Sequence, residues 1–154
     1  MQLSKNLSLA EMTRSESAKR LGISNEPTIA HLSNMRKLAE NVFQPIREHF
    51  GVPIYISSGY RSKVLNSAIK NSSKTSQHSK GEAMDIDMDN TQITNAQIFE
   101  FIKNNLSFDQ LIWEYGDDKN PDWVHVSYSA TGKQRNQILK AVRHNGAVQY
   151  IPFY

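Results

Sequence analysis

The chain has 154 residues, 38% of them hydrophobic and 21% charged, with a formal net charge of +3. That length holds one compact domain, 1–154, and with no apolar stretch of about 18 residues it reads as soluble and globular, without a membrane span. Cysteine is absent, which excludes disulfides, thiolate ligands and a cysteine nucleophile, so any transition-metal site must use histidine and carboxylate.

The N-terminus, MQLSKNLSLAEMTRSES, is polar and lacks the apolar centre of a signal peptide. Leu9 to Leu21 is predicted helical, with Ser8 as N-cap, Glu11 three residues later and Gly22 as the stop. Thr28 to Phe50 carries Ile29, Leu32, Met35, Leu38, Ala39, Val42, Phe43 and Ile46 at helical spacing, with Pro45 placed to kink it and Gly51 to end it. Pro53 to Ser57 reads as a short strand, Arg61 to Lys70 as a helix, and the Ser/Lys-rich Asn71 to Lys80 as a loop. Glu82 to Met88 alternates, with Glu82, Met84, Ile86 and Met88 on one face and Ala83, Asp85 and Asp87 on the other. Thr94 to Leu106 is an amphipathic helix with Ile98, Phe101 and Ile102 inward. Gln110 to Tyr115 and Trp123 to Tyr128 form an antiparallel strand pair, and Asn145-Gly146 turns a last hairpin, Ile138 to Arg143 with Ala147 to Ile151. Helices first and short strands later predict an α+β domain, N-terminal helices packed on a small, mainly antiparallel sheet.

Context separates the five histidines. His31 and His49 lie near the ends of the long helix and His144 in the hairpin turn, and all three read as structural. His78 ends the polar loop, and Asp85 follows seven residues later on a strand, with Gly81 between them to let the backbone fold back. His125 sits in mid-strand on the face of Trp123 and Ser127. Two imidazoles and one carboxylate make a three-ligand zinc site with a fourth position open to water, the arrangement of a catalytic metal. Asp87 shares a face with Asp85 and is the rival ligand.

Such a site needs a general base. Asp122, three residues before His125, is the candidate; strict alternation puts it on the opposite face, so Pro121 and the loop entry must turn it toward the metal. Glu114, on the neighbouring strand, is the rival base. Arg61, at the glycine turn of SSGYRS, is suited to hold a substrate carboxylate or to stabilise an oxyanion. Spacing by itself does not bring the His78/Asp85 and Asp122/His125 segments together.

The ordered set SGYRS, LN, SQHSKGEAMDID and WVHVSY resembles the zinc D-Ala-D-Ala carboxypeptidase and endolysin family, peptidase family M15, in its short phage-type members. The likeness runs from Pro53 to Tyr128 and, through LSLAEM, GISN and the long helix, over most of the chain. It implies a hedgehog/DD-peptidase-like fold and one zinc per chain held by His78, Asp85 and His125. Asp122 would then be the general base, Arg61 would contact substrate or the polarised carbonyl, and Ser76 and Gln77 would line the site. Many relatives carry glutamate at the Asp122 position, a departure that keeps Glu114 open as the base. The implied activity is zinc-dependent hydrolysis of peptidoglycan stem peptides for cell-wall lysis, as a D-Ala-D-Ala carboxypeptidase or as an L-Ala-D-Glu or cross-link endopeptidase. The same likeness implies a monomer made in the cytoplasm without a signal peptide, reaching the wall by holin-type release or as a virion component.

A non-catalytic wall- or protein-binding module on the same fold is the alternative, but such a module has no need of a base beside a ligand set. A small nucleic-acid-binding protein would show a recognisable motif or a concentrated Lys/Arg stripe, and the sequence has neither.

Overall fold

The structure, a computed structural model, describes residues 1–69 and 76–153. It opens with a small antiparallel hairpin, β1 (Gln2–Ser4) and β2 (Leu7–Ser8), which the polar N-terminal sequence does not announce and which buries Leu3 and Leu7. Ser8 then caps α1 (Leu9–Thr13) in a reciprocal box: its Oγ accepts from the Glu11 N–H, and Glu11 Oε1 accepts from the Ser8 N–H. The helix expected from Leu9 to Leu21 is broken at Arg14, because Ser15 caps a second helix, α2 (Glu16–Leu21), which stops at Gly22.

The long helical stretch is one rod of three pieces: α3 (Ile29–Leu38), a π-helical turn (Ala39–Phe43) and α4 (Gln44–Phe50). Pro45 explains the wide turn. Its ring crowds the carbonyl four residues back, and widening the turn, with the Gln44 N–H reaching the Ala39 carbonyl, relieves that crowding without ending the rod. Met35, Leu38, Ala39, Val42, Phe43 and Ile46 are buried as their spacing requires, whereas Ile29, expected on the same face, is 89% exposed.

Six strands form the main sheet: β3 (Ile56–Ser58), β4 (Ala83–Ile86), β5 (Gln110–Glu114), β6 (Trp123–Ser127), β7 (Gln137–His144) and β8 (Ala147–Pro152), in the order β3-β4-β6-β5-β7-β8. Every neighbouring pair is antiparallel except β5 and β7, which run parallel, a join that neither of the expected strand pairs foretells. The last hairpin turns at Asn145 and Gly146, both with positive φ, as the Asn-Gly pair requires. Between β3 and β4 lie α5 (Lys63–Ala68), capped by Ser62, and a 3-10 turn (Gln77–Lys80) capped by Ser76 and ended by Gly81 at φ +76°. The expected helix end at Lys70 and the first half of the Asn71 to Lys80 loop lie outside the described residues. Its second half is this 3-10 turn rather than irregular chain. After β4, α6 (Asn95–Asn105) starts in a Thr94/Gln97 capping box and turns Ile98, Phe99 and Ile102 inward, while the half-buried Phe101 stacks on His49 at 4.2 Å between centroids.

Alternation divides the sheet into two faces. Met84, Ile86, Leu111, Trp113, Val124 and Val126 pack against Met35, Phe43, Ile46 and Ile98 in one continuous core. The opposite face carries Asp85, His125, Ile112 and Glu114 and looks into a cleft. Among the described residues, no helix is long and apolar enough to cross a membrane.

One buried polar side chain, Asn95, ties α6 to the strand entries. Its Oδ1 accepts from the Met88 N–H at 2.7 Å, and its amide donates to Asp87 Oδ1 at 3.1 Å and to the Asp122 carbonyl at 3.0 Å. Replacing Asn95 with alanine strands these groups in the interior and is expected to cost roughly 1–3 kcal/mol in urea denaturation; an unchanged midpoint would contradict the role.

Candidate metal centre

His78, Asp85 and His125 meet at the floor of the cleft, each placed by a different device. The 3-10 turn carries His78, β4 carries Asp85, and the β4–β6 register sets Asp85 directly opposite His125. One carboxylate oxygen, Asp85 Oδ1, lies 3.3 Å from His78 Nε2 and 3.0 Å from His125 Nδ1. On its other side the His78 ring donates from Nδ1 to the Gly59 carbonyl at 2.7 Å. A carbonyl can only accept, so Nδ1 holds a hydrogen and Nε2 is the nitrogen turned to the carboxylate oxygen. Two electron-rich atoms at 3.3 Å call for a cation between them, either a proton or a metal ion.

The three side chains offer ligand atoms that all lie within 4.8 Å of one another, so they fit a metal ion of the kind that histidine and carboxylate bind. The Gly59 carbonyl that orients His78 is the outer partner such a site needs. Gly59 must stay a glycine, because a Cβ there would run into the Met12 backbone carbonyl. Burial works against ionising Asp85, but the charge of His78 and hydrogen bonds from His125 and His78 outweigh it and hold the carboxyl well below the usual range. Asp85 is therefore available as an anionic ligand.

The other candidates separate. Glu114 is buried and lines the cleft with the three residues. On β5, Ile112 faces His125 and Glu114 lies two residues further along the same face, a diagonal neighbour. Burial pushes its carboxyl up to about 7, with His125 lowering and Asp85 raising it. Asp122 is exposed and is not among the residues lining the cleft. Pro121 does not turn it inward: the Asp122 N–H donates to the Glu114 carbonyl and its own carbonyl accepts from Asn95, so alternation holds and its carboxylate lies toward Asp89. Asp87, the rival ligand, is engaged by Asn95 and the Asp89 N–H and stays outside the group.

Arg61 lines the cleft, anchored through its backbone N–H to the His78 carbonyl, and its buried Nε has no hydrogen-bond partner among the described residues. Burial lowers its pKa while Asp85 opposes the shift. Ser76 and Gln77 also line the cleft, and both are held by nearby groups. Ser76 Oγ accepts from the His78 N–H, and Gln77 donates to Asp109 Oδ2 at 3.0 Å. His31 bonds the Tyr60 hydroxyl, His49 stacks on Phe101 and His144 ends β7, so none of the three joins the group.

The cleft, of about 1200 Å³, also has walls that no sequence motif marks. Buried Asp109 grips Arg135 through two side-chain bonds, 2.7 and 3.0 Å, and the Arg135 N–H at 3.1 Å. Buried Glu82 accepts from the Ala130 N–H at 2.6 Å, which pins the segment after β6 against the site. These partners are 26 and 48 residues apart in the chain, and no local spacing signals them.

Glu114 has a measurable consequence for the metal-free protein. Between pH 4.5, its ordinary value, and about 7 the folded chain keeps a proton that the unfolded chain has released, so stability falls as pH rises. The total loss is about 3 kcal/mol, and Glu114→Gln removes it. Urea denaturation in chelator from about pH 4 to about pH 8 is expected to show wild type losing stability relative to Glu114→Gln; parallel curves would contradict the buried, protonated state.

No curated protein matched the sequence. The family described as Peptidase M15 matches residues 5–127, which takes in α1, the long helical rod, Arg61, the 3-10 turn and the β4–β6 register with its three converging side chains. With a match over well over half of its residues, the chain belongs to the peptidase M15 family.

Proposed function

We propose that the chain is a zinc-dependent peptidase that hydrolyses peptide bonds in peptidoglycan stem peptides, acting as one domain with one zinc held by His78, Asp85 and His125. The observation that carries this reading is the convergence of two imidazoles and a buried anionic carboxylate on the floor of an open cleft, with a second, protonatable carboxylate beside them. Zinc bound there would supply a Lewis acid that activates water and polarises the scissile carbonyl. Substrate class and setting rest on the resemblance to wall-degrading relatives: a monomer that meets the wall by holin-type release or from the virion, with a mildly basic surface suited to an anionic wall.

Within this reading Glu114, not Asp122, is the general base. It is buried on the cleft face diagonal to His125, where a carboxylate can take a proton from water and return it to the leaving amine. Arg61 presents in the cleft a buried N–H with no partner among the described residues and is assigned to the substrate carboxylate or the developing oxyanion. Ser76 and Gln77 are assigned to shaping the wall that substrate meets. The non-catalytic alternative leaves a costly buried Glu114 without a purpose.

Metal analysis with turnover of defined muropeptides tests both assignments. Wild type is expected to carry one zinc per chain and His78→Ala none; full zinc in His78→Ala would sink the ligand set. Glu114→Gln is expected to keep zinc and lose about a hundred- to ten-thousand-fold in kcat, while Asp122→Ala stays within a few-fold of wild type. The reverse ranking of those two variants would return the base to Asp122.

A further inference from the structure

The family match ends at residue 127, yet the cleft does not. Its far wall is the β7–β8 hairpin, which contributes Leu139, Arg143 and Tyr150 to the lining. The parallel join of β7 to β5 sets this hairpin in register with the site: Glu114 faces Ala141, and Ala141 faces Tyr150. A row therefore crosses the sheet from Trp123 through Glu114 and Ala141 to Tyr150. Ala141 is fully buried in that row, whereas Tyr150 is exposed at the cleft wall.

Arg143 lies two residues beyond Ala141 on the same face, with its guanidinium 4.6 Å from the centre of the Tyr115 ring. Tyr115 is itself braced by Trp123 at 5.5 Å between ring centroids. A guanidinium held over a ring face keeps N–H groups for a further partner. Among the described residues Arg143 has no carboxylate partner, unlike Arg135 before the start of β7, which Asp109 holds through both carboxylate oxygens. The Tyr150 hydroxyl has no hydrogen bond among the described residues either, and as a phenol it can donate one.

We propose that Arg143, oriented by Tyr115 and assisted by the Tyr150 hydroxyl, forms a carboxylate-binding subsite that reads the substrate peptide several residues from the scissile bond. This rests on the peptidase reading above. From the His125 row to Arg143 is two strand spacings across the sheet and four residues along β7, roughly 10 Å by 13 Å. That diagonal, about 16 Å, is the span of four or five extended residues, and the long arginine side chain shortens it by one or two. A dipeptide cut at the metal centre cannot reach the subsite; a longer peptide with an acidic group on this side can. Specificity for a distal carboxylate would thus come from a segment outside the matched region, while the chemistry comes from inside it.

The test crosses two changes. Zinc-loaded wild type and Arg143→Gln are each given synthetic stem-type peptides of five residues that are identical except that one distal carboxylate is amidated, with the acid moved along the peptide in a set. For one position in the set, amidation is expected to raise KM in wild type roughly ten- to a hundred-fold and to have little effect in Arg143→Gln. Arg143→Lys, which keeps the charge but loses the flat fork, is expected to fall between them, and Tyr150→Phe to reduce the discrimination in part. An amidation penalty of equal size in wild type and Arg143→Gln overturns the subsite, as does the absence of any penalty at every position. Binding of the same peptides, followed by Trp fluorescence, separates the two readings. Arg143-dependent preference for the acid without turnover overturns the peptidase and keeps the subsite, whereas turnover without that preference does the opposite.

Discussion

The contact of Asp85 Oδ1 with His78 Nε2 and His125 Nδ1 governs how the rest of the structure must be arranged. Taking a carboxylate out of water is costly unless cations or donors meet it, and removing one partner of such a group leaves a charge buried alone. The chain meets the requirement from both sides. The carbonyl of Gly59 turns His78 so that one nitrogen is left for Asp85, and the β4–β6 register delivers His125 opposite. Gly59 in turn sits against the Met12 carbonyl, so α1, the end of β3 and the 3-10 turn that carries His78 are fitted to one another. This explains why a site of three side chains draws on nearly the whole length from α1 to β6.

The two faces of the sheet then divide the work. The inner face is apolar and packs on the helical rod and α6, which backs β4, β5 and β6 with one continuous core. The outer face can therefore carry charged groups that would be unstable on a looser frame, including a carboxylate at Glu114 that burial disfavours when ionised. Stability given up at Glu114 is the kind of local cost expected at a functional position. Beyond β5 the parallel strand β7 prolongs that outer face, so the candidate metal group and the proposed carboxylate subsite share one surface while coming from different parts of the chain.

Much of this was legible in the sequence. Period-two alternation put Asp85 on the face opposite Met84 and Ile86, Gly81 marked the reversal before it, and the aromatic, β-branched stretch around His125 marked a strand. The Ser8/Glu11 box, the Asn145-Gly146 turn and the α+β class were equally local signals. What local spacing left open was non-local. Where Asp122 and Glu114 lie relative to the cleft depends on which strands pair and on Asn95, buried and 27 residues from Asp122, which holds the backbone so that alternation is kept. The parallel β5–β7 pair joins strands separated by β6 in sequence, so the role of Tyr150 and Arg143 could not be seen from spacing. The break at Arg14 is a different case, since Ser15 was a second capping residue in plain view inside an apparently continuous helix.

The most direct test of the central claim is the zinc-edge X-ray absorption spectrum of the purified, zinc-loaded chain, recorded for wild type and for His125→Ala. Two imidazole nitrogens with oxygen completing the shell are expected in wild type, and one imidazole fewer, with weakened retention of the metal, in His125→Ala. A shell made only of oxygen, or a spectrum unchanged by the substitution, would contradict a metal centre built on His78, Asp85 and His125.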